Sequence, residues 1–131
     1  MRTDRFACLA AASAIMLGLL FARSHAIPAG WDKVAHFSAF ALITVLLWHG
    51  TAGSAPLAVL GAVVAFGALD ELHQAFVPGR AADLLDFVAD ATAAAVVCGL
   101  LSVRKEATSR KEKTPCVELS RPSPAATSSR S

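Results

Sequence analysis

Four long apolar runs divide the chain, each closed by polar or turn-forming residues. They cover about 6–22, 33–49, 55–77 and 84–103. Within them apolar residues follow one another without the alternation that a half-buried strand requires, so the pattern predicts helices. Each run approaches the ~20 residues needed to cross a hydrocarbon core. Inside such a core every backbone N–H and C=O must be paired, which leaves helices or a closed barrel, and the uniform apolarity excludes the barrel. The expected fold is all-α, a polytopic membrane four-helix bundle occupying 1–103.

The first run has a second reading as a signal peptide, because Arg2 and Arg5 precede it and Ser24-His25-Ala26 offers a small-x-small cleavage site. Its length, and Arg23 at its far end, favour a retained helix. Beyond Val103 the composition turns to Lys, Arg, Glu, Ser, Thr and Pro, so 104–131 is expected to form a basic, disordered tail, irregular from Thr108 onward. Pro78-Gly79 predicts a tight turn between the third and fourth helices, and Asp83 the cap of the fourth. Trp31 and Trp48 bracket the second helix as interfacial anchors, while Phe37, Phe40, Phe66, Phe76 and Phe87 read as packing residues. His25 and His49 fall in connections. Ala62, Gly67 and Ala68 on the third helix, with Ala91 and Ala93 to Ala95 on the fourth, would permit close helix approach.

Composition strengthens the membrane assignment: 55% of the 131 residues are hydrophobic. The formal charge of +2 conceals an uneven distribution. Arg2 and Arg5 precede the first helix, and Arg104, Lys105, Arg110, Lys111 and Lys113 follow the fourth, which predicts that both termini are cytoplasmic. Basic residues without interleaved aromatics exclude nucleic acid as a partner. Cys8, Cys98 and Cys116 are scattered, so neither a thiolate metal knuckle nor a disulfide framework is indicated.

Against this background two polar strings stand out, Asp32-Lys33-Val34-Ala35-His36 and Asp70-Glu71-Leu72-His73-Gln74, the latter followed by Pro78-Gly79-Arg80. With cytoplasmic termini they fall on the outer side, where the second and fourth helices begin and the third ends. Asp32 and His36 share one helix face, as do Asp70, His73 and Gln74, and as do Asp86 and Asp90, with Glu71 flanking its group. A charged residue at mid-helix depth costs ~2.5 to 3.5 kcal/mol on insertion scales, so these groups should face one another inside the bundle. Six acids (Asp32, Asp70, Glu71, Asp83, Asp86, Asp90) oppose Lys33 and Arg80. Either some acids are protonated or a cation or cationic ligand completes the balance.

The strings Asp32-Lys33-x-x-His36-Phe37, Asp70-Glu71-x-His73-Gln74-x-Phe76-Val77-Pro78-Gly79-Arg80 and Asp86-x-x-x-Asp90 resemble the VanZ-like family, over roughly 31–101. That family is commonly Gly where Ala93 stands here. The resemblance implies a small bacterial integral membrane protein of the cytoplasmic (inner) membrane. Its namesake is associated with resistance to the glycopeptide teicoplanin, which makes a link to glycopeptide susceptibility an expectation.

The site is therefore expected to bind, or to modify, an envelope lipid or a lipid-linked cell-wall precursor. Lys33 and Arg80 would hold phosphate, with Asp32, His36, Gln74 and Asp86 completing the binding surface. His73 with Asp70 or Glu71 would supply acid and base if chemistry occurs. No cofactor is implied, and a divalent metal on His36, His73, Asp70 and Asp86 is a weaker alternative. The principal alternative is non-enzymatic, with the polar residues forming a network that stabilises the bundle while the protein contacts an envelope partner. Transport is a minor option, since no charged path reaches the cytoplasmic half.

Overall fold

The computed structural model of the chain describes residues 2–21, 31–78 and 82–113, apart from the side chains of Asp32 and Lys113. Gly79, Arg80, Cys116 and the Ser24-His25-Ala26 segment lie outside the described residues. Four helices emerge: α1 (Arg2–Phe21), α2 (Trp31–Gly50), α3 (Pro56–Phe76) and α4 (Leu84–Lys113). All four are long and apolar enough to cross a membrane.

The largest departure from the predicted boundaries is the end of α4, which lies at Lys113 rather than Val103. The segment 104–113 was polar enough to be read as tail, yet Arg, Lys, Glu and Ala are strong helix formers and no Pro or Gly interrupts them. Extending an existing helix also avoids the cost of nucleation. The remainder of the expected tail, 114–131, lies outside the described residues.

Contacts at the two ends establish an up-down-up-down bundle. At one end Arg5 Nε donates to the carbonyl of Gly50 at 3.0 Å, and Lys105 Nζ to that of Gly53 at 2.6 Å. At the other, Lys33 near the start of α2 bonds to Asp83 and Asp86 around the start of α4. Thus α2 and α4 run parallel and pack most extensively together, while α3 packs on α4 and α1 lies mainly against α2. Among the described residues of α1 only Ala12 is buried.

The core joins Phe40 and Ile43 of α2, Val59, Val63 and Phe66 of α3, and Ala93, Ala94 and Cys98 of α4. Phe40 and Phe66 stack with ring centroids 5.7 Å apart. Trp48 is 7% exposed and belongs to this core, so it is not the interfacial anchor expected. Its indole lies over Gly53, whose φ of +60° and whose missing Cβ, which would sit 2.9 Å from the ring, make room for it. Trp31 is exposed, as are Phe37 and Phe76, which face outward and do not pack in the core. His49 lies in the last turn of α2 and not in a connection.

The expected small-residue contact is formed by part of its set. Gly67, Ala93 and Ala94 are buried, whereas Ala62, Ala68 and Ala95 face outward. A Cβ at Gly67 would lie 3.3 Å from the Phe40 ring and 3.4 Å from Asp90 Cβ. Phe40 is fully buried and cannot withdraw. Gly67→Val should therefore destabilise the detergent-solubilised protein by ~1–3 kcal/mol through overpacking. Gly61→Val, where nothing lies within 4 Å, should leave the thermal melt unchanged. Equal melts for the two variants would contradict this packing.

Candidate functional site

The polar residues form two layers at the end where α2 and α4 begin. In the outer layer Lys33 Nζ donates to Asp83 Oδ2 at 2.6 Å and to Asp86 Oδ1 at 2.7 Å, clamping α2 to α4. Asp83 caps α4 as expected, its Oδ1 accepting the Leu85 N–H at 2.9 Å. Its own backbone N–H donates to Glu71 Oε2 at 2.9 Å, tying the last turns of α3 to the start of α4. Glu71 is thus part of the cluster, where the helical face rule placed it to one side. The ammonium of Lys33, and then the Leu85 N–H, hold the Asp83 carboxyl below the usual carboxylate range.

Behind this layer the side chains are almost completely enclosed: Asp70 is 1% exposed, Gln74 4% and Asp90 0%. Gln74 Nε2 donates to Asp70 Oδ2 at 2.9 Å. His36 stacks on Phe40 and places Nδ1 3.3 Å from Asp90 Oδ1. That separation permits charge attraction, but the alignment does not make a hydrogen bond.

Among the described residues, six buried atoms here have no hydrogen-bond partner: His36 Nδ1, Asp70 Oδ1, Glu71 Oε1, His73 Nδ1 and both carboxylate oxygens of Asp90. Native proteins pair roughly 90% or more of such groups, and each one left unpaired costs ~1–3 kcal/mol. Apart from Glu71 Oε1, the outer layer is internally satisfied, and the inner layer is not.

The pairings differ from those expected. No hydrogen bond joins His73 to Asp70 or Glu71, because Asp70 turns to Gln74 and Glu71 to the backbone of Asp83. The close histidine–carboxylate contact is instead between His36 and Asp90. Lys33, expected to hold phosphate, is engaged by two carboxylates. Among the described residues no group of three His, Cys, Asp or Glu side chains is arranged to hold a metal ion, so His36, His73, Asp70 and Asp86 do not assemble as a ligand set. Arg80 and the side chain of Asp32 lie outside the described residues.

Beside this cluster a groove of about 420 Å³ runs between α3 and the start of α4. Ala68, Leu72 and Ala75 line it on α3, Ala82, Leu84 and Phe87 on the opposite wall, and Glu71 is the charged residue among them. Leu72, Phe76, Leu84 and Leu85 around it are exposed and apolar, as a bilayer-facing surface should be. The helical spacing of 68, 72 and 75 hinted at this surface, but the space between the helices depended on how they pack.

A family model described as VanZ/LLP1 matches residues 6–105. The chain belongs to the VanZ/LLP1 family. The match takes in α1 as well as the 31–101 region whose motifs carried the resemblance, so all the clustered residues lie inside the VanZ/LLP1 domain. Comparisons with curated proteins and with solved structures give no match.

Lys33→Met should lower the melting temperature more than Asp83→Asn, since it leaves Asp86, 6% exposed, without its cation. Because Asp83 titrates lower when folded than when unfolded, its contribution is complete above about pH 4 and is lost as pH falls through the folded value. Circular-dichroism melts should therefore show the wild type losing stability below about pH 4 and Asp83→Asn losing less. Parallel pH profiles would contradict the clamp.

Proposed function

We propose that this multi-pass VanZ-family membrane protein resides in the bacterial inner membrane with both termini cytoplasmic, and binds an envelope lipid or lipid-linked precursor at its outer-leaflet half. The orientation rests on Arg2, Arg5 and the basic end of α4 lying together, opposite the acidic cluster. The observation that carries the binding reading is the juxtaposition of the α3–α4 groove with unpartnered buried polar atoms. An acyl or polyprenyl chain fits the apolar walls, and the polar end of the same molecule meets Glu71 at the mouth of the cluster. The groove's volume falls within the range of small-molecule sites, ~300–1,000 Å³.

A purely structural network is the competing reading, and the Lys33 clamp supports it for the outer layer. A network selected only to hold helices together should satisfy its own donors and acceptors. The inner layer fails that criterion, which favours a visiting partner there. Binding of a cell-wall precursor at this position would also connect the site to glycopeptide susceptibility.

Ala75→Leu fills the groove at an exposed helical position while leaving Glu71 in place. Native mass spectrometry from gentle detergent should show bound lipid on the wild type and on the distant control Ala58→Leu. On Ala75→Leu, retention should fall at least roughly tenfold, equivalent to about 1.4 kcal/mol. Equal retention in all three chains would reject the groove as the site.

A further inference from the structure

Four of the six unpartnered atoms are carboxylate oxygens: Asp70 Oδ1, Glu71 Oε1, and Oδ1 and Oδ2 of Asp90. Ionised carboxylates only accept hydrogen bonds. A proton shared between two of these carboxylates pairs two of the four oxygens and leaves the others unpaired. The complementary partner is rich in donors.

Charge points the same way. Among the described residues of the cluster, Asp70, Glu71, Asp83, Asp86 and Asp90 face Lys33, and that ammonium is engaged by Asp83 and Asp86. Among the described residues, Asp70, Glu71 and Asp90 are then left with the two histidines as cation sources, and His36 lies 3.3 Å from Asp90. An anionic headgroup brought to Glu71 would meet uncompensated negative charge in a low-dielectric setting, where like-charge repulsion is strong. A cationic headgroup would be drawn in.

We propose that the polar group received at the mouth of the α3–α4 groove is the primary ammonium of an aminophospholipid, drawn to the Glu71 side chain that lines it. This rests on the lipid-binding reading above and specifies its chemistry. Glu71 Oε2 accepts from the Asp83 N–H, which fixes the carboxylate at the groove wall, and Oε1 is enclosed, so the attraction is exerted by the charge of the carboxylate. A primary ammonium is small and approaches a carboxylate closely, whereas the methyl groups of a quaternary ammonium hold its charge farther away. Asp70 and Asp90, enclosed behind Glu71, act through their field. The chain of the same lipid lies along Ala68, Leu72, Ala75 and Phe87.

The test places the full-length protein in nanodiscs of equimolar phosphatidylethanolamine, phosphatidylglycerol and phosphatidylcholine of distinguishable mass. Native mass spectrometry then reads which lipids remain bound. The wild type should retain phosphatidylethanolamine at least tenfold over either competitor, and Glu71→Gln should retain lipid with that preference gone. Phosphatidylglycerol favoured or equal would overturn the ammonium assignment while leaving lipid binding intact. So would phosphatidylcholine retained as well as phosphatidylethanolamine, or a folded Glu71→Gln chain that keeps the preference. Retention of no lipid by the wild type would overturn both this assignment and the lipid reading. The wild-type preference is measured without any variant, so a Glu71→Gln chain that failed to fold would leave the test decisive.

Discussion

Placing ionisable side chains inside an apolar bundle is the constraint on which the rest of this structure depends. Asp70, Asp86 and Asp90 sit on helices whose other residues suit hydrocarbon, and a carboxylate turned toward lipid would oppose insertion. That penalty sets the rotation of α2, α3 and α4 about their own axes. Once Lys33 reaches Asp83 and Asp86, and Gln74 reaches Asp70, the apolar residues on the opposite faces have nowhere to go but outward. The core beneath follows: Phe40 packs between His36 and Phe66, and Gly67 brings α3 close to Asp90.

The same constraint is met in two ways within a few ångströms. The outer layer resolves it internally, with ion pairs, a helix cap and a backbone bond to Glu71. The inner layer gathers acceptors without enough donors. A bundle needing only mechanical stability would gain from replacing these residues with apolar ones of similar volume, since buried charges are poor sources of stability. Their concentration beside a groove that opens toward the bilayer is better explained by a partner that enters from the membrane. On the proposed reading, clamp and cradle are distinct parts, and the clamp would keep the cradle's walls in place without a ligand.

Much of this was legible in the sequence. The apolar runs marked all four helices, and charge distribution together with an even number of spans put the acidic strings at one end. The i, i+4 spacing of Asp86 and Asp90 placed both on one face, and both are buried. What the pattern did not carry was partner choice. Lys33 read as a phosphate holder because its distance to Asp83 depends on how α2 and α4 are staggered, which no local spacing records. His73 read as the partner of Asp70 or Glu71 for want of any sign that Glu71 turns across the connection to Asp83. Trp48 read as an anchor because its burial depends on the turn at Gly53. The groove was hidden for the same reason, since Ala68 and Ala75 resemble ordinary packing alanines until the start of α4 is seen to stand away from them.

The proposed function requires that the polar interior of the bundle open to lipid between α3 and α4. The most direct test is intermolecular NMR contact between lipid headgroup protons and the methyl groups of Ala68 and Leu72, measured for the full-length protein in nanodiscs. Glu71 lies five residues before the end of α3, roughly 7.5 Å below it at ~1.5 Å per residue, beneath the depth of bulk headgroups. A headgroup drawn to Glu71 predicts cross-peaks from headgroup protons to both methyl groups. Cross-peaks from headgroup protons confined to the helix ends at Phe76 and Leu84, with Ala68 and Leu72 meeting chain protons alone, would contradict it.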